Sequence, residues 1–174
     1  MAEPLPAGWL TDTNVLSRPA KKNKDDPDPP VALWIRANAR LIRVSAVTIA
    51  EARRGLVLER KRIEGLSDKR VIRRDQAALD IKDGWYRELR SRFADRIVPI
   101  DAEVAERWAD VSVRFPSIRD GDKAILATAL VHGYGVATRN IRDFKASGVP
   151  LVDPFDPDSW WEDEVRPQAP KPNG

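Results

Sequence analysis

Short apolar runs alternate along the chain with longer stretches of helical spacing, beginning at Trp9-Leu10-Thr11. That run ends in Asp12-Thr13-Asn14, and apolar positions resume at Val15 and Leu16. A buried parallel strand reads this way when it delivers a carboxylate to its C-terminal edge and turns into a helix. Pro29-Pro30 suits the first turn of a helix over 30–39. Residues 41–47 are apolar and β-branched enough for a second strand. Thr48-Ile49-Ala50-Glu51 has the spacing of a capping box and opens a helix that continues to about residue 64. Gly65-Leu66-Ser67-Asp68 interrupts it, and a further helix is expected over 71–93. A third strand over 97–100 contains Pro99, which confines it to a sheet edge. Asp101 then caps a helix over 102–114, and 115–118 is a loop.

The helix expected over 122–132 is almost wholly apolar from Ala124 to Val131, as a buried helix is. Gly133 ends it as a left-handed cap. A fourth strand over 134–138 leads to the loop 139–144. The last strand, 149–152, holds Pro150 and belongs at the other edge. Prolines 154, 157, 167, 170 and 172 predict an irregular tail, docked through Trp160 and Trp161. The expected organisation is a globular unit over 1–156 and a Pro-rich acidic tail over 157–174. Strands alternating with helices give an α/β fold with a parallel sheet wrapped on both faces. Such a sheet gathers its C-terminal edges, bringing Asp12, the region of Glu51 and the 139–144 loop to one rim, where open α/β sheets bind ligands.

Composition narrows the chemistry available there. The 174 residues contain no cysteine and one histidine, His132, which excludes thiolate sites, a cysteine nucleophile and a histidine pair. His132 stands just before Gly133, where it suits a helix C-terminus. No apolar run approaches the ~20 residues needed to span a bilayer. Residues 1–8 lack the basic and apolar regions of a signal peptide, so a cytoplasmic protein is expected. The net charge of +3 conceals an asymmetry, because 52–74 carries nine basic residues against three acidic ones. Such a run is either a solvated helix face or the footprint of a polyanion partner. Trp34, Trp85 and Trp108 sit at helical spacing and read as packing residues.

Each acid has an ordinary explanation when taken singly. Asp12 suits a helix cap, Glu51 a capping box, Asp120 and Asp122 a helix start, and Asp143 an Asx-turn. Their coincidence at one sheet edge is different, because gathered carboxylates repel and raise one another's pKa unless a cation neutralises them. Magnesium or manganese takes carboxylate oxygens and keeps water positions open. Such an ion activates water and stabilises a phosphodiester transition state. No Gly-rich nucleotide loop is present. An aspartyl-phosphate route needs a carboxylate where Asn14 stands.

Four stretches in order, 10–17, 47–55, 122–129 and 137–144, resemble the PIN-domain ribonucleases. They look most like the VapC-type toxins of bacterial toxin–antitoxin pairs, in the FitB-like branch. The resemblance covers roughly 9–155 and implies a five-stranded sheet in the order 3-2-1-4-5 and a magnesium-dependent endoribonuclease acting on RNA. It carries the metal-binding and catalytic acids onto Asp12, Glu51, Asp122 and Asp143, although some relatives place the fourth where Asn140 stands. Asn14 is implied as a residue that braces a metal ligand or orients the substrate, and Thr138 and Arg139 as neighbours of the scissile phosphate. A cognate antitoxin and a homodimer are implied as partners. Arg18 replaces the usual acid after the first motif, and the loop 19–28, the segment 66–76 and the tail are longer than typical. The other reading is a catalytically inactive RNA- or protein-binding module of the same fold.

Overall fold

The computed structural model describes residues 6–17 and 28–160. Arg18, most of the 19–28 loop and the tail beyond Trp160, Trp161 included, lie outside them. The apolar runs form β1 (Trp9–Thr11), β2 (Ile42–Ser45), β3 (Ile97–Val98), β4 (Gly135–Ala137) and β5 (Leu151–Val152). All pair in parallel in the order β3-β2-β1-β4-β5. Between them run α1 (Thr13–Leu16), α2 (Pro30–Ala37), α3 (Ala46–Glu64), α4 (Lys69–Arg92), α5 (Ala102–Arg114), α6 (Asp120–His132) and α7 (Ile141–Phe144). The third and fifth strands are outermost, as their prolines require. Both are two residues long, with Pro99 just after one and Pro150 just before the other.

Alternation along the strands divides the core into two layers. Trp9 faces a cluster with Val15, Trp34, Ile42, Val44, Phe93 and Ala137, while Leu10 faces Val104, Ile125, Leu126, Val136 and Phe144. The helices therefore lie on both faces, with α5 and α6 covering the Leu10 side. All three residues of β1 are buried, which accounts for its continuous apolar reading. Trp9 packs edge-on against Trp34, their ring centres 6.1 Å apart. Gly135 lies beside that indole, and a methyl group there would overlap it. Trp160 is also buried in the Trp9 cluster.

Several local readings hold. Asp101 Oδ1 accepts from Val104 N–H at 2.9 Å, and Gly133 has φ +64°. Two differ. Helix α3 starts at Ala46, capped by Ser45 Oγ, which accepts from Val47 N–H at 3.2 Å. Thr48 is thus inside the helix, buried, and its hydroxyl donates to the Thr11 carbonyl at 3.4 Å, so Glu51 belongs to no capping box. The 139–144 loop also contains one helical turn, α7.

Helices α3 and α4 form an arm with its own small core of Leu56, Ile63 and Leu79. Across it, Arg62 donates to Asp75 Oδ2 at 2.7 Å and to both oxygens of Glu59 at 3.0 and 2.9 Å. Arg74 donates to Asp75 Oδ1 at 2.8 Å. Among the described residues no helix is long and apolar enough to cross a membrane.

Candidate active site

The C-terminal ends of β1 and β4 fix the first acid. Asp12 follows β1 directly, and its N–H donates to the Ala137 carbonyl at 3.2 Å. It occupies the cap position of α1 without capping it. Its Oδ2 instead accepts from Asn14 Nδ2 and from Thr138 Oγ1, both at 3.3 Å. The buried Thr138 hydroxyl in turn accepts from the Asn140 N–H at 3.0 Å, and the Asn140 side-chain amide donates to Asp143. Among the described residues, Asp12 therefore has one oxygen held by two donors and the other without a hydrogen bond.

Thr48, anchored to β1, sets the position of α3 and so of Glu51. The Glu51 carboxylate lies against the first turn of α6, where a methyl group on Gly121 would overlap its Oε1. A helix tolerates glycine there at a cost of ~1 kcal/mol relative to alanine, and here the missing side chain makes room for a carboxylate. The two acids of that turn diverge. Asp120 is exposed and pairs with Lys123 Nζ at 3.0 Å, whereas Asp122 is partly buried and faces the others.

Asp12, Glu51 and Asp122 line one cavity of about 1070 Å³, together with Asn14, Arg119, Arg139 and Asn140. The cavity continues between α3 and α4 along Leu56, Trp85, Leu89 and Phe93. Its floor is kept low by Ala52 and Gly55. Trp85 Nε1 donates to the Leu16 carbonyl at 3.4 Å, tying α4 to the short helix that carries Asn14. The Arg139 guanidinium stacks on Phe155, 5.3 Å from the ring centre.

Burial, then the charges of Asp12 and Asp122, raises the pKa of Glu51, against the nearby guanidinium groups of Arg119 and Arg54. Burial, then Asp12, raises Asp122, with Asp143 adding to the shift and Arg119 opposing it. Among the described residues none of the four acids forms an ion pair. The rim is thus a cluster of carboxylates that repel one another.

Of the residues singled out in the sequence, Asp12, Asn14, Glu51, Asp122, Arg139 and Asn140 line the cavity. Asp143 and Thr138 do not; they stand behind Asn140 and Asp12 and hold them. Arg119 and Gly121 belong to the site and were not anticipated. The one signal was a glycine in the first turn of an otherwise apolar helix. Among the described residues no three acidic or imidazole side chains are drawn together as a ready-made metal cage.

The PIN domain model matches residues 10–148. The chain belongs to the PIN-domain family. The VapC ribonuclease Y4jK of Sinorhizobium fredii is 31% identical to this PIN protein over 85% of the chain and 98% of its own length. Toxin FitB of Neisseria gonorrhoeae is 31% identical over 84% of the chain and 97% of its own length. The structure of FitAB bound to an IR36 DNA fragment superposes with a TM-score of 0.62 at 28% identity, over 85% of this chain and 96% of that one. The strand order expected of a PIN domain is the one observed.

Proposed function

We propose that this PIN protein is a magnesium- or manganese-dependent endoribonuclease, the cytoplasmic toxin of a toxin–antitoxin pair, that hydrolyses RNA phosphodiester bonds. One observation carries the reading: Asp12, Glu51 and Asp122 line a single cavity, and among the described residues no base is paired to any of them. Their donor set is all oxygen and hard, and the raised pKa values of Glu51 and Asp122 mark a charge that a divalent cation relieves. When bound, such an ion supplies positive charge for the phosphate and makes water a better nucleophile.

The chain's own residues prepare that chemistry. Asn14 and Thr138 fix Asp12 through Oδ2 and leave its other oxygen for the cation. Gly121 admits the Glu51 carboxylate against α6. Asp143 orients Asn140, which takes the fourth position on the cavity wall, while Asp143 adds negative charge from behind. Arg139, steadied by Phe155, is placed for the substrate phosphate. The names of the relatives, a VapC ribonuclease and Toxin FitB, support the nuclease and toxin assignment; the partners that this reading adds are a cognate antitoxin and a second copy of the chain.

Among the described residues the acids as they stand form no ready-made metal cage, and the second reading is an inactive binding module of the same fold. Calorimetric titration with manganese separates the two. The nuclease binds the ion, loses that binding in Glu51→Gln, and cuts RNA only until excess EDTA is added. Absence of binding, or cleavage undiminished by EDTA, rejects the metal mechanism.

A further inference from the structure

Three or more carboxylates at the cavity mouth repel the phosphates on either side of the bond to be cut, so an RNA strand needs cations close by. The sequence offers nine basic residues over 52–74 without saying which are available. The structure sorts six of them, while Lys69, Arg70 and Arg73 stand exposed at the start of α4. Arg62 and Arg74 are engaged with Glu59 and Asp75 inside the arm. Arg54 is exposed and makes no ion pair among the described residues, yet it lies near enough to Glu51 to act on its charge. Arg119, which precedes α6, is likewise exposed and unpaired, lines the cavity and acts on both Glu51 and Asp122. Glu51 is therefore flanked by two guanidinium groups that make no ion pair among the described residues, one from α3 and one from the residue before α6.

From Arg54 the same edge of α3 leads outward to Lys61, seven residues and about 10.5 Å further along the axis. Lys61 is exposed and also free of ion pairs among the described residues. Leu58, 53% exposed, lies between the two on this edge and offers apolar surface to a base. Arg53 and Arg60 sit roughly a quarter turn further round the helix, away from Glu51.

We propose that Arg119, Arg54 and Lys61 form a phosphate track that carries single-stranded RNA from the acid-lined cavity out along the Glu51 edge of α3. The track rests on the nuclease reading, and its test keeps the two apart. Anisotropy of a labelled single-stranded RNA, titrated with the full-length Asp12→Asn protein across a series of KCl concentrations, gives affinity and salt slope together. With all three residues changed to Gln, affinity at low salt falls at least tenfold. The slope of log K on log salt shrinks by about 2, since each phosphate contact on a single strand contributes about 0.7. Arg53→Gln with Arg60→Gln leaves the slope unchanged. An unaltered slope in the triple variant, an equal loss in the Arg53/Arg60 control, or no RNA binding at all by Asp12→Asn overturns the track. Metal-dependent cleavage by the wild-type chain reads the nuclease assignment separately, and it survives any of those three results.

Discussion

Two clusters of charge sit at the two ends of α3, and they are built on opposite terms. At the far end, Arg62 and Arg74 hold Glu59 and Asp75 by direct hydrogen bonds. The guanidinium bonds lower the pKa of both acids, and those acids raise that of Arg62. At the near end, Glu51 faces Asp12 and Asp122 with no ion pair among the described residues, and its pKa rises. The first cluster has every charge answered within the fold and joins two helices. The second is answered only in part, by Arg119 and Arg54, and keeps a cost to the folded state that a cation relieves. An acid's meaning lies in whether its charge is met.

Exchanging the roles of the two clusters gives the largest test. Asp12→Asn lowers RNA cleavage on the order of a thousandfold, several kcal/mol of transition-state stabilisation, while the melting temperature holds or rises. Asp75→Asn does the reverse: the melting temperature falls, and the specific activity of the folded protein is unchanged. Loss of cleavage in both, at full folding by circular dichroism, would remove the distinction.

Gly121→Ala acts at the near end without touching a charge. The new methyl group displaces the Glu51 carboxylate, and manganese affinity measured by calorimetry falls by ~10-fold, with the protein still folded. Unchanged affinity would show that Glu51 does not need its place against α6.

The clusters also respond to pH with opposite sign when metal is absent. Glu51 and Asp122 hold their protons more tightly in the folded state. Their burden on stability is therefore absent below the ordinary carboxylate range and grows as pH rises through it to their raised values. Glu59 and Asp75 hold theirs less tightly when folded, so their contribution is present above that range and is lost as pH falls. In EDTA at neutral pH, Glu51→Gln melts above wild type, and the difference vanishes in acidic buffer below the carboxylate range. Excess manganese reverses the order, because it stabilises only the chain that binds it.

The smallest effect contrasts two glycines of the same site. A methyl group on Gly55 meets nothing within 4 Å. Gly55→Ala therefore stabilises α3 by about 0.5–1 kcal/mol in chemical denaturation, whereas Gly121→Ala brings no such gain.

Much of this was legible in the residues. Pro99 and Pro150 identified the outer strands, Asp101 and Gly133 marked helix ends, and the first strand announced Asp12. The start of α3 was misread because Thr48 and Glu51 fit a capping box while Ser45, three residues earlier, does the capping. Sequence spacing cannot tell which of two competent hydroxyls meets the free N–H groups, since tertiary contact with Thr11 decides it. Spacing alone does not choose between Asp120 and Asp122, which share a turn; the resemblance points to Asp122, and packing turns Asp120 toward Lys123 and Asp122 toward the cavity. Arg119 carried no local pattern at all, because its role comes from α3 lying beside α6.

The outer strands carry one more consequence. With two residues apiece and a proline at the border of each, β3 and β5 expose too little backbone for a foreign strand to zip onto. Among the described residues, a protein that captures this molecule therefore finds its surface on the helices or in the cleft rather than along the sheet edges.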